Sequence, residues 1–224
     1  MIPLKDNVPT RTVPIITITL ILVNIFIFLW YFTLPEALER SVILRYALVP
    51  KELVTSLTSR PELLPYNCLT IVTSMFLHGG ILHVGGNMLY LWIFGNNIED
   101  AVGHFRSLLF YLLSGVAAAL VQVSFDPASS VPMIGASGAV SGVLGAYLLL
   151  YPRARVKTLI FIFVFITTAE IPAVVLLSVW FFFQVAFSHG GGVAWFAHIG
   201  GFLFGLMTIK IFTAGIRPVR RGVP

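Results

Sequence analysis

The chain has 224 residues, of which 58% are apolar and only 10% charged, against about 25% charged in an ordinary soluble domain. Mean hydropathy is +0.94; a water-soluble core of this size could not hide so much apolar surface, so a polytopic membrane protein is expected. The net charge of +5 is scattered among apolar runs, which argues against the clustered basic face of a nucleic-acid binder and for Lys and Arg marking cytoplasmic loops.

At about 20 residues per spanning helix, six spans take about 120 residues. That leaves room for one membrane domain. Residues 1–12 read as a polar N-terminal tail. The first apolar segment, about Val13 to Phe32, is too long for a typical signal-peptide core, and no cleavable signal is expected. Residues 33–70 form a long external loop. Within it, Val42–Leu48 and Leu53–Leu57 suggest short interfacial helices, and Cys68, the single cysteine, rules out an internal disulfide. Segment two covers about His83–Ile98, with an apolar lead-in from Ile71 to Leu77. Glu99, Asp100, His104 and Arg106 then make a polar break. Segment three is about Ser107–Val123 and segment four about Ala136–Tyr151, rich in small residues.

Residues 158–187 are too many for one straight span and barely enough for two. We read 158–168 as a short membrane-surface or re-entrant connection. Segment five then starts near Pro172, since proline suits a helix's first turn, and ends near Phe187. His189-Gly190-Gly191-Gly192 reads as a tight loop, and segment six as about Ala194–Phe212. The expected fold is therefore an all-α bundle of six transmembrane helices, with both termini cytoplasmic. The membrane domain would cover 13–213, followed by a basic tail at 214–224. In this topology ten basic residues face the cytoplasm and four face outside. Splitting 158–187 into two spans would put Arg217, Arg220 and Arg221 outside, against the positive-inside rule.

Polar side chains inside spans are costly and suggest function. His83 and Asn87 in segment two, Ser137 in segment four and His198 in segment six all fall within about two turns of helix starts on the same, outer face. They therefore share one depth. Ser137 follows a proline-containing loop, in Gly135-Ala136-Ser137-Gly138, where free helix-end N–H groups can hold an oxyanion. Taken alone, it reads more readily as a packing serine. His198 shares its helix face with Gly201 and Gly205, and segment four carries its own stripe at Gly138, Ser141 and Gly145. If the two stripes pack together, Ser137 meets His198, which can act as its general base. A histidine bonded to a backbone carbonyl is the alternative. His83 and Asn87 are spaced i, i+4 and can both donate to a developing oxyanion; polar glue between helices is the alternative. His78 reads as a tether for the Gly79-Gly80 break.

Other chemistries fail on spacing. There is no His-Glu-x-x-His, no pair of aspartates within spans, no Gly-x-Ser-x-Gly elbow and no His/Cys set for a metal cage. No metal or other cofactor is expected. No carboxylate sits at the outer ends of segments two, four or six, so a Ser–His dyad fits better than a triad. A small-molecule transporter would favour paired broken helices, and none is evident.

The motifs His78-Gly79-Gly80-Ile81-Leu82-His83-Val84-Gly85-Gly86-Asn87, Gly135-Ala136-Ser137-Gly138 and Ala197-His198-Ile199-Gly200-Gly201 closely resemble those of the rhomboid family of intramembrane serine proteases. The resemblance covers about Ser74 to Gly205. It implies Ser137 as nucleophile, His198 as general base, and His83 and Asn87 as oxyanion donors helped by the Ser137 backbone N–H. It also implies a first loop lying partly in the membrane and a segment five that acts as a lateral substrate gate. Partners would be the lipid bilayer and membrane-protein substrates cut within a transmembrane segment near the external face, with no nucleic acid. A prokaryotic plasma membrane is the expected location. One departure is Leu69-Thr70, where many members carry Trp-Arg. A catalytically silent, client-holding protein of the same fold is the competing expectation.

Overall fold

The computed structural model describes residues 1–162, 165–187 and 193–216. The expected tight loop at 189–192 and the arginines of the tail lie outside the described residues. Three described helices are each long and apolar enough to cross a membrane: α1 (Ile15–Phe32), α7 (His104–Phe125) and α10 (Trp195–Thr213). A bent pair, Pro61–Phe76 and Ile81–Val102, adds a fourth candidate, its two halves meeting at 83°. The pair's first half contains α4 (Leu64–Thr73) and ends in a 3-10 turn (Ser74–Phe76), and its second half is α5 (Ile81–Tyr90), a π-helical turn (Leu91–Gly95) and α6 (Asn96–Val102). In the first loop, α2 (Glu36–Tyr46) and α3 (Pro50–Thr58) stand where short helices were expected.

The central helix is α8 (Ser137–Leu150), buried continuously from Gly138 to Tyr147. Its small residues explain how it can be surrounded. A Cβ on Gly201 would lie 2.0 Å from the Gly138 carbonyl oxygen, one on Gly205 would lie 1.9 Å from that of Gly142, and one on Gly145 would lie 2.0 Å from that of Phe202. No larger residue fits this seam, so α8 and α10 touch backbone to backbone.

At 1.5 Å per residue, α8 is about 21 Å long, shorter than the roughly 30 Å apolar thickness of a bilayer. The chain before it runs non-helically, and its polar backbone groups are matched by protein, as lipid burial requires. Met133 and Leu48 exchange both backbone hydrogen bonds, and the Gly135 N–H donates to the Ser74 carbonyl. The Ala136 N–H donates to His78 Nε2. His78 is fully buried, and its backbone carbonyl and N–H both bond the Tyr31 hydroxyl. Gly135 has φ +125°, open to glycine and strained for other residues.

Three expectations need correcting. The fold is mostly helical rather than all-α, because β1 (Ile2–Asp6), β2 (Arg155–Ile162) and β3 (Phe165–Pro172) form an antiparallel sheet in the order β1-β2-β3. Residues 158–162 and 165–168, expected within a surface or re-entrant connection, belong to the paired strands β2 and β3. The physical reason is visible in β2, where Val156 and Thr158 are buried while Arg155 and Lys157 are exposed, the period of two that a half-buried strand needs. Residues 1–12, expected as a tail, contain β1. Its last residue, Asp6, accepts hydrogen bonds from Asn97 Nδ2, at 2.7 Å, and from the Tyr147 hydroxyl. The segment-five helix, α9 (Ala173–Ala186), follows β3 directly with Pro172 as its N-cap.

The polar break after segment two caps α1, whose own N-cap, Pro14, offers no side-chain bond. The buried Glu99 carboxylate accepts from Ile16 N at 2.9 Å, Thr17 N at 2.8 Å and Thr17 Oγ1 at 2.7 Å. These occupy helix-end donors that would otherwise have no acceptor.

Candidate active site

The starts of α5, α8 and α10 converge. Ser137 is the first residue of α8, and its Oγ lies 2.8 Å from His198 Nε2, in the first turn of α10. The tight α8–α10 seam begins at Gly138, next to Ser137, and at Gly201, one turn from His198. The backbone contact thereby sets the distance between the side chains.

The other imidazole nitrogen of His198 is also engaged. Nδ1 lies 2.7 Å from Gln184 Oε1 on α9. Gln184 is buried, and its Nε2 donates to the Trp180 carbonyl at 3.2 Å. The Trp180 and Trp195 rings flank His198, with centroids at 6.2 and 6.1 Å.

On α5, His83 Nδ1 accepts from the Gly79 N–H at 3.3 Å. That bond leaves the His83 proton on Nε2. Nε2 lies over Gly135, so close that a Cβ there would stand 2.7 Å from it; the same Cβ would be 3.6 Å from Ser137 Oγ. Asn87, one turn further along the same face, is buried, and its Nδ2 has no hydrogen-bond partner. A buried amide donor without an acceptor costs stability, so this one calls for an explanation. The first N–H groups of α8 are likewise free of intrahelical acceptors. His83 Nε2 and the start of α8 therefore border the space above Ser137, and Asn87 lines the same cavity.

That space is a cavity of about 940 Å³. His83, Asn87, Ser137, Gln184 and His198 all line it, with Trp180 on the α9 side. All four polar residues singled out from the sequence thus meet in one place. His78 is close, its ring centroid 5.0 Å from that of His83, but its Nε2 is occupied by the loop before Ser137. Among the described residues, no three His, Cys, Asp or Glu side chains cluster as metal ligands would.

Sequence reasoning missed Gln184, although a signal was present: an amide side chain within the apolar run Ala173–Ala186.

The fold and the site together define a membrane-embedded helical protein whose serine and histidine meet in a cavity. Residues 66–215 match the family model of the Rhomboid domain, two thirds of the chain, and the chain belongs to the rhomboid family. It is 31% identical over 143 residues to Rhomboid protein 1, mitochondrial, of Saccharomyces cerevisiae, covering 62% of this chain and 40% of that protein. It is 33% identical over 135 residues to Rhomboid protease GluP of Bacillus subtilis, covering 60% of this chain and 24% of that protein. It is 40% identical over 78 residues to RHOMBOID-like protein 6, mitochondrial, of Arabidopsis thaliana, covering 35% of this chain and 25% of that protein. The matched region is less than half the length of each of these relatives.

Proposed function

We propose that this integral membrane protein is an intramembrane serine endopeptidase that cuts transmembrane segments of other membrane proteins near the external face. The observation that carries the reading is the 2.8 Å contact between Ser137 Oγ and His198 Nε2 inside the cavity. In this mechanism Ser137 Oγ attacks the scissile carbonyl while His198 Nε2 takes its proton. The oxyanion forms among the Ser137 N–H, His83 Nε2–H and Asn87 Nδ2, donors already in place before charge develops. His198 returns the proton to the leaving amine, the C–N bond breaks, and Ser137 is left acylated. Water, activated by His198, then hydrolyses the ester and restores the serine. No cofactor enters the cycle.

The chain would cross the membrane six times with both termini cytoplasmic, using the membrane domain 13–213. Helix α8, too short to span alone, starts below the outer surface, and the non-helical chain before it leaves room for water to reach Ser137. Helical substrates hide their peptide bonds, so segments weakened by Gly or Pro near the cut are favoured, with a small residue before the scissile bond. The host membrane is proposed as a prokaryotic plasma membrane. Several relatives carry mitochondrial names, and fractionation of the native cell decides between the two.

The test is cleavage of a transmembrane substrate in liposomes by wild type, Ser137→Ala and His198→Ala. Loss in both variants, with folding intact, supports the protease. Cleavage that survives Ser137→Ala removes it. Silence of the wild type together with failure of a serine-reactive probe to label it moves the reading to a client-holding protein.

A further inference from the structure

Helix α9 is nearly all apolar, and several of its side chains, such as Val175 and Phe182, are exposed on the bundle surface. Of its two polar residues, Ser178 is exposed and Gln184 faces inward. It is buried, it lines the cavity, and both ends of its amide are used.

The bonds fix each proton in turn. The Trp180 carbonyl can only accept, so the Gln184 group facing it is the NH₂ donor, and Oε1 faces His198. An amide oxygen can only accept, so His198 Nδ1 carries the proton and donates it. Nε2 then holds the lone pair, and Ser137 Oγ–H donates to it. The chain runs Ser137 to His198 to Gln184 to Trp180, each step a donor meeting an acceptor, and it joins α8, α10 and α9. Flipping the amide would set oxygen against oxygen at Trp180. An unsupported imidazole could instead place its proton on Nε2, facing the serine, and would be useless as a base.

We propose that Gln184 is a positioning residue for the Ser137–His198 pair: its side-chain oxygen selects the His198 tautomer that can accept the serine proton and steadies the imidazolium formed in the transition state. The proposal rests on the protease reading above. It gives α9 a direct part in the chemistry, because a shift of α9 away from α10 removes the acceptor from His198 while leaving Ser137 in place.

The experiment measures kcat and KM against pH in liposomes for wild type, Gln184→Met, Gln184→Glu and, as control of the underlying reading, Ser137→Ala. Methionine keeps the length without the acceptor. It is expected to lower kcat about 10- to 100-fold, the usual cost of losing a group that orients a functional histidine, with KM within about twofold. Glutamate restores an acceptor and adds charge next to the imidazolium, so kcat is expected to recover above the Met variant and the acid limb of kcat to move to higher pH. The other titratable groups on the cavity wall, His83 and Tyr90 of α5 and Asp126 after α7, are the same in all four proteins and do not move the limb. A kcat for Gln184→Met equal to wild type overturns the proposal. So does a Gln184→Glu enzyme whose acid limb stays where the wild type has it, a readout that only a folded, working enzyme gives. Cleavage by Ser137→Ala is a different failure: it overturns the protease reading itself, and the proposal with it.

Discussion

Gly201→Ala tests whether the α8–α10 seam sets the catalytic distance. The added methyl would stand 2.0 Å from the Gly138 carbonyl oxygen, and ordinary contact begins at 3.4 Å. The obstacle is backbone on both sides, so no side chain can rotate away. The helices must part locally by about 1.4 Å to reach normal contact. Gly201 lies one turn from His198, and Gly138 is the neighbour of Ser137. If most of that separation reaches the pair, the 2.8 Å contact opens to about 4 Å, beyond hydrogen-bond range. A misplacement of about 1 Å can cost about 10²-fold in rate, so kcat should fall by about two orders of magnitude. Overpacking of this kind costs about 1–3 kcal/mol of stability. The assay is liposome cleavage together with thermal unfolding. Gly205→Ala, a turn deeper, meets a similar clash at Gly142 O but should cost stability more than rate. A Gly201→Ala enzyme with wild-type kcat would refute the idea that this seam holds the pair together.

Further expectations follow from the same geometry. Asn87→Ala removes an oxyanion donor and should lower kcat about 10²- to 10³-fold with little change in KM, measured in the same assay. Glu99→Ala strips the cap from α1 and should cost about 2–3 kcal/mol in thermal or denaturant unfolding. The site, about 24 Å away along α5 and α6, should keep its kcat in the folded fraction. Tyr31→Phe leaves the buried backbone groups of His78 without their shared partner and should cost about 1–3 kcal/mol by unfolding. Burial raises the Asp6 carboxyl above its ordinary value, against the lowering effect of its bonds from Tyr147 and Asn97. The folded state therefore holds the Asp6 proton more tightly than the unfolded state, and this contribution to stability is lost as pH rises. The unfolding advantage of Asp6→Asn over wild type should accordingly be larger near about pH 7 than near about pH 4.

The spanning helices could be read because lipid leaves the chain few options: a run that crosses it must be long, apolar and self-satisfied in its hydrogen bonds. The same rule made His83, Asn87, Ser137 and His198 conspicuous, and a common depth joined them before any contact was known. The sheet was hidden by the same composition. Leu159, Ile160 and Phe161 extend an apolar run that drowns the alternation set by Arg155, Val156, Lys157 and Thr158, and β1 is too short to announce a partner about 150 residues away. Long-range capping has no sequence signature either. Glu99 and Asp100 read only as a polar break, whereas they bond the chain at the start of α1 more than 80 positions earlier. Gln184 was within reach of the principle that exposed the other four, but its role depends on which nitrogen of His198 it faces, and only the packing of α9 against α10 decides that.

In the proposed mechanism everything depends on His198 activating Ser137. The most direct measurement is intact-mass analysis and peptide mapping after exposure of the liposome-embedded protein to a fluorophosphonate, for wild type and His198→Ala side by side. A single adduct on Ser137 is expected in the wild type, and labelling reduced to background in His198→Ala, with both proteins folded. Labelling of Ser137 at equal rates in the two proteins, or an adduct on a different serine, would contradict it.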